Sequence, residues 1–82
     1  MSDSIARIKD ATAETLGLAV ETISDTSRFV EDLGAESVQQ VELVAAFERA
    51  FNIEMDEDDW VNLTSVDTSA AFIDSLIARR LA

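Results

Sequence analysis

The sequence predicts an all-α fold: a four-helix bundle of three main helices and one short helix, with a long loop between the first two helices. Three observations carry the prediction. Proline is absent and only Gly17 and Gly34 interrupt the chain, so the two residue types that break helices are almost missing. Apolar residues recur at three- and four-residue steps over three long segments. β-Branched residues occur but do not alternate with polar ones for long, as a half-buried strand would require. With 82 residues, 48% of them apolar, the chain can bury one small core, and residues 1–82 read as one domain.

The first helix is expected from Ser4 to about Leu16, with Ile5, Ile8, Thr12 and Leu16 on one face. Gly17 follows the last periodic residue, the position of a C-terminal cap glycine. From Leu18 to Ala35 the periodicity breaks. Thr22, Ser24, Asp25, Thr26 and Ser27 mark a loop, yet Leu18, Val20, Ile23, Phe29, Val30 and Leu33 are too apolar to float in water. A loop of this length has to pack on the core or serve function, and Ile23, Phe29 and Leu33 are expected to point inward.

The next helix is expected over Ser37 to Phe51. Gly34 supplies the turn before it, and the spacing from Ser37 to Gln40 is that of a capping box, which starts the helix at Ser37. At about 100° per residue, Leu43, Val44, Phe47 and Phe51 gather on one side as a core face. On nearly the opposite side lie Val38, Val41 and Ala45, with Glu42 and Arg49 at one flank and Glu48 at the other. A second apolar stripe edged by charge reads as a partner surface, the alternative being scattered surface valines. The mouth of such a helix, with unpaired N–H groups and the positive end of the dipole, tolerates a phosphate. Ser37 therefore reads either as a cap or as a handle for a phosphate-linked group.

Asn52 to Leu63 crowds Glu54, Asp56, Glu57, Asp58 and Asp59 into six positions. The EF-hand template fails there: counted from Asp56, the sixth residue is Val61 instead of glycine and the twelfth is Asp67 instead of glutamate. The expectation is a solvated acidic turn leading into a short helix around Glu57–Asn62, with Trp60 anchoring it on the core and no specific metal site, the alternative being weak, nonspecific divalent binding. The last helix begins near Thr64–Ser65, either of which can cap. Asp67 suits its first turn, and Arg79 and Arg80 suit its last. Ala70, Ile73, Ile77 and Leu81 form its core stripe, widened by Phe72 and Leu76.

Charge and missing residue types exclude several function classes. Seventeen acidic and six basic side chains give a net charge of −11, unsuited to nucleic acid or an anionic membrane and suited to basic surfaces of other proteins. No run approaches a membrane span and no signal-like stretch follows Met1, so a cytoplasmic location is expected. Without cysteine there is no disulfide, thiolate nucleophile or thiolate metal site; without histidine the commonest general base and metal ligand are missing. No catalytic residue is assigned. A serine hydrolase is disfavoured, because Ser37 has neither a histidine base nor the glycines of a nucleophile elbow.

Phe29-Val-Glu-Asp-Leu-Gly-Ala-Glu-Ser37-Val, then Val41-Glu-Leu-Val44 and Phe51-Asn-Ile-Glu-Met55, resemble the acyl carrier protein family. That family shows Asp-Leu-Gly-Ala-Asp-Ser-Leu, a Val-Glu-Leu run, Phe-x-Ile-x-Ile and an acidic turn, and the resemblance extends over nearly the whole chain. It implies that Ser37 bears a covalent 4′-phosphopantetheine arm, transferred from coenzyme A by a Mg-dependent phosphopantetheinyl transferase. The arm's thiol then holds an acyl group as a thioester for fatty acid, lipid or polyketide-type biosynthesis. Expected partners are that transferase together with acyl- or aminoacyl-loading ligases or synthases and acyltransferases. They would bring a basic surface to Asp32, Glu36, Val38, Val41, Glu42, Ala45 and Glu48 of a monomeric carrier. Leu43, Phe47 and Ile73 are the candidates for sheltering the cargo, with a plain core role as the alternative.

The departures from the family pattern gather on the partner-facing side. Glu36 replaces aspartate, Val38 replaces leucine, and Ala45 stands where a larger residue is common. Gln39, Arg49 and Ala50 occupy positions often acidic in the fatty-acid type, and Asp56 stands where proline is frequent. They point to a specialised carrier. Two further readings stay open: an aminoacyl or peptidyl carrier of the same fold, although such domains more often show two glycines before the serine region, and an acidic helical interaction module that is never modified.

Overall fold

The computed structural model describes residues 3–81. The elements run α1 (Asp3–Leu16), a 3-10 turn (Val20–Thr22), α2 (Ser37–Phe51), a 3-10 helix (Glu57–Asn62) and α3 (Val66–Leu81). This is the all-α arrangement of three long helices and one short one that the periodicity predicts, with a long connection between α1 and α2. None of the helices among the described residues is long and apolar enough to cross a membrane.

α1 lies against both α2 and α3, and the core fills the space between them. Ile8 and Thr12 are completely buried at adjacent turns of α1, while Ile5 and Leu16 at the ends of the same stripe are half-buried. Gly17 ends the helix at φ +69°, and Leu18 N–H donates to the Ala13 carbonyl (2.9 Å), closing a Schellman-type cap. The other two helices are tied to α1 by polar contacts at its rim. Ser4 donates to the Asp74 carboxylate on α3, and Arg7 donates to the Ala50 carbonyl on α2. The Arg7 guanidinium also sits 4.2 Å above the centre of the Phe51 ring.

The long connection is held by pairing with a distant part of the chain. Phe29 N–H donates to the Thr64 carbonyl (3.1 Å) and Val66 N–H to the Ser27 carbonyl (2.9 Å), an isolated antiparallel bridge centred on Arg28 and Ser65. Lys9 on α1 pairs with Asp25. These ties drive Ile23 and Phe29 into the core, and Phe29 meets Phe47 at 5.8 Å between ring centres and a tilt of 44°. Leu33 is only half-buried. After Phe29 the chain coils back on itself: Leu33 N–H reaches the Arg28 carbonyl, Gly34 N–H the Val30 carbonyl, and Ala35 N–H the Phe29 carbonyl. Gly34 takes φ +71° in this turn, a backbone region costly to other residues, although a Cβ there would meet nothing.

The acidic segment caps itself. Asp56 is the N-cap of the 3-10 helix; its side chain takes the N–H of Asp59, and Asp59 in turn takes the Asp56 N–H (2.9 Å). Two of the clustered carboxylates are therefore engaged by backbone N–H groups, and among the described residues no cluster of three potential metal ligands converges. Trp60 packs on the core from this short helix.

One stripe residue departs from expectation. Leu81 is 82% exposed, whereas Ala70 and Ile73 in the same stripe are buried. Helical spacing selects a face, but a residue in that face is buried only where another element lies opposite it.

Candidate functional site

The site is the mouth of α2, and its geometry is set by the turn that precedes it. Ala35 is buried and bonded back to Phe29, which fixes where the chain leaves the turn. Glu36 then adopts an extended conformation (φ −89°, ψ 168°) and becomes the N-cap. Its side chain accepts the Gln39 N–H, while Gln39 Oε1 accepts the Glu36 N–H at 2.9 Å. The Glu36 carbonyl takes the Gln40 N–H at 2.9 Å. The capping box therefore runs from Glu36 to Gln39, one residue earlier than the Ser37-to-Gln40 box expected from the sequence. The pattern fits both registers. The buried Ala35 selects the earlier one, although serine is the stronger intrinsic cap.

This one-residue difference decides the chemistry available at Ser37. As the first residue of α2 it lies just inside the cap, exposed, and its hydroxyl has no hydrogen-bond partner among the described residues. A serine at the N-cap would have its oxygen occupied by a backbone N–H; this one is open to solvent at the positive end of a 15-residue helix. The donor set suits a phosphodiester: an unengaged hydroxyl with the unpaired N–H groups of the first turn beside it.

The other predicted site residues fall into two groups. Val38 (70% exposed) and Val41 (52% exposed) stand outward on α2, and Glu42 is exposed with them. Ala45 and Glu48 continue the face half-buried. Glu48 is partly engaged, because its Oε2 accepts the Met55 N–H at 2.8 Å, and its carbonyl takes the N–H groups of Asn52 and Ile53 beyond the helix end. Asp32, in the turn before the site, is held by Arg28 through its backbone N–H (2.9 Å) and its guanidinium (3.3 Å). These bonds from Arg28 hold the Asp32 carboxyl below its ordinary range.

On the inner side of α2, Leu43 and Phe47 border a cavity of about 50 Å³ together with Phe29, Gln40, Val44, Trp60 and Leu63. Ile73 does not border it; this residue is fully buried elsewhere in the core. Periodicity identifies buried positions but not the space that each one faces, so Trp60 and Leu63, carried on and just after the short 3-10 helix, were not among the sequence candidates. Gln39, one of the departures on the partner-facing side, also closes the cap, the role that the later register would give to Gln40.

The family of the chain follows from comparison with known sequences. The model described as the phosphopantetheine attachment site, PP-binding, matches residues 6–73, from within α1 to the buried centre of α3. The match covers most of the chain and includes the whole mouth of α2. Domains of this family carry a covalent 4′-phosphopantetheine group and work with a phosphopantetheinyl transferase and acyl-handling enzymes. On this match the chain belongs to the phosphopantetheine-attachment family, as a phosphopantetheine-bearing carrier of the acyl carrier protein kind.

Proposed function

We propose that Ser37 Oγ carries the 4′-phosphopantetheine arm and that the chain is a non-catalytic carrier of acyl thioesters. One observation supports this most directly: Ser37 is exposed at the helix mouth with its hydroxyl unengaged among the described residues, because Glu36 has taken the capping role. The arm supplies the thiol that a chain without cysteine cannot, and the base that activates the serine has to come from the transferase, since there is no histidine. Attachment joins Ser37 Oγ to the pantetheine-side phosphorus of coenzyme A and breaks the phosphoanhydride, with adenosine 3′,5′-bisphosphate leaving.

The outward face of α2 serves as the docking surface. Val38 and Val41 offer an apolar contact, and Asp32, Glu36, Glu42 and Glu48 surround it with negative charge for a basic partner. Ala45 lies on the same face, half-buried. We place the carrier, as a monomer in the cytoplasm, in a dedicated fatty acid, lipid or polyketide-type pathway, because its departures from the family pattern gather on this face. Incubation with coenzyme A, Mg²⁺ and a broad-specificity transferase should add the mass of one phosphopantetheine, and Ser37→Ala should abolish the gain. No gain with several transferases would overturn the reading. Elongation by housekeeping fatty acid synthase enzymes as fast as on their own carrier would remove the dedicated pathway.

A further inference from the structure

The outward stripe of α2 does not end as it begins. Around Ser37 the charged side chains are mostly acidic: Glu36 and Glu42 are exposed, and the one cation there, Arg28, is paired with Asp32. Past Val38, Val41 and Ala45 the stripe runs to Arg49. At about 100° and 1.5 Å per residue, Arg49 returns to within about 20° of the direction of Val38, about 16 Å further along the axis. This arginine is exposed, and it is uncommitted. Lys9 pairs with Asp25, while Arg7 and Arg80 donate to the carbonyls of Ala50 and Glu54. Arg49 makes no hydrogen bond or ion pair among the described residues, although Asp10, Glu14, Glu42 and Glu48 border the same surface hollows. The carboxylate of Glu48, its neighbour in the chain, is turned to the Met55 N–H (2.8 Å). A cation in the last turn of α2 suits the helix dipole, but any side of that turn would serve that purpose.

We infer that Arg49 sets the direction in which α2 docks, by receiving a carboxylate of the partner protein at the end of the stripe remote from Ser37. The inference rests on the outward face of α2 being the docking surface. The occupant is a protein surface that is basic around Ser37 and carries an aspartate or glutamate about 16 Å further along the line of the helix. A stripe edged by acids at both ends would seat on a basic patch in either direction, and only one direction brings the arm to the partner's active site. One cation removes the ambiguity. The reversed complex sets Arg49 against the partner's basic residues and Glu36 against its carboxylate. Arginine suits the contact, since its planar fork takes a carboxylate through two parallel bonds. Across the hollow beside Ala45, Arg80 spends guanidinium N–H on the Glu54 carbonyl (2.7 Å), which leaves its charge to support the same anion. The same cation disfavours any partner whose docking patch is basic throughout.

The probe is a malonyltransferase of housekeeping fatty acid synthesis, chosen for a carrier-docking patch that is basic throughout. Parent, Arg49→Glu, Arg49→Gln and Arg79→Glu are first converted with coenzyme A and the broad-specificity transferase, and mass spectrometry confirms the arm on each. Arg49→Glu should raise kcat/KM for malonyl transfer about fivefold, through KM, the factor that one well-placed exposed charge pair supplies. Arg49→Gln should give about half of that gain on a logarithmic scale. Arg79→Glu makes the same change of charge at an exposed site in the last turn of α3 and should leave the rate as it is. The gain should vanish at about 1 M salt, where screening is nearly complete. The basic residues of the malonyltransferase patch are then changed to glutamate one at a time. At one of them the preference should reverse, so that the parent carrier is used better than Arg49→Glu.

An equal gain in Arg79→Glu would overturn the inference, because net charge alone would then govern the rate. No gain in Arg49→Glu would overturn it too, and so would the lack of any patch position that reverses the preference; in all three cases the arm at Ser37 is present and the carrier reading stands. Failure of every variant, the parent included, to gain the arm would overturn both.

Discussion

Ser37 and Ser65 stand at the mouths of α2 and α3, one position apart in helix register, and the protein uses them differently. Ser65 is the residue before α3, buried, with its hydroxyl donating to Asp67 Oδ1 (2.6 Å), contacting Thr68 Oγ1 (2.8 Å) and reaching the Thr68 N–H (3.4 Å). Its own N–H donates to Thr68 Oγ1 at 3.0 Å. Ser37 is the first residue inside α2, exposed and without such bonds among the described residues, because Glu36 and Gln39 close the cap in its place. Ser65 is tied into its helix end; the Ser37 hydroxyl is exposed and unengaged among the described residues. Residue type does not distinguish these roles. The neighbour that supplies the cap does.

The strongest test exchanges loss of chemistry for loss of stability at the two serines. Ser37→Ala should abolish phosphopantetheine transfer completely and change stability by no more than about 0.5 kcal/mol, as for a surface position with no bonds to lose. Ser65→Ala should do the reverse. Removal of an N-cap serine costs about 1 kcal/mol, with a range of roughly 0.5–2. For a domain of this size that lowers the thermal midpoint by about 4–8 °C per kcal/mol, while transfer to Ser37 continues. Mass spectrometry and thermal melts on both variants check the pair. A Ser37→Ala variant that melts as low as Ser65→Ala would break the comparison.

A smaller effect is expected when the cap that spares Ser37 is removed. In Glu36→Ala/Gln39→Ala both side chains of the box are lost, and Ser37 with Gln40 is the alternative box already present in the sequence. The helix end should loosen by about 1 kcal/mol. Recruitment of the Ser37 hydroxyl into the cap should also slow transfer several-fold. Glu36→Ser, which keeps a good cap at the same position, should melt close to the parent protein. Transfer rates unchanged in the double variant would show that the cap register does not govern access to Ser37.

The same contrast explains what could be read from the sequence. The bounds of α1 and α2 were legible because long apolar periods and Gly17 signal them locally, and the core residues Ile8, Leu43, Phe47 and Ile73 follow from the same spacing. The cap register was not, because Glu36-x-x-Gln39 and Ser37-x-x-Gln40 both satisfy the pattern, and the deciding contact is Ala35 bonded back to Phe29. The bridge between Arg28 and Ser65 joins residues with no local signature of pairing, so nothing in either segment announces it. The cavity was half legible. Leu43 and Phe47 lie on a periodic face, but Trp60 and Leu63 reach the same space from a 3-10 segment whose approach depends on the whole fold. At Ser37 itself, composition and motif pointed to the residue, and only its partners in three dimensions show that its hydroxyl is unengaged.

The smallest expected effect separates the two helix mouths by their response to acid. At the start of α3, the hydrogen bond from Ser65, together with the Thr68 N–H at 2.9 Å, holds the Asp67 carboxyl below its ordinary range, with desolvation opposing the shift. Because the folded-state pKa is depressed, the stability that Asp67 contributes is fully present above its unfolded-state value, about pH 4, and is lost as the pH falls through the lower folded-state value. Acid also relieves the repulsion of a chain carrying −11 charges, so the midpoint of the parent protein alone mixes two opposite trends. The difference between parent and Asp67→Asn isolates the local one. It should be small and constant well above the unfolded-state value, and close towards zero as the pH falls through the lower folded-state value and Asp67 takes up its proton. A gap that widened in acid would mean that the α3 mouth favours the protonated carboxyl, and Ser65 would then be a donor to a neutral partner instead of the anchor of a charged one.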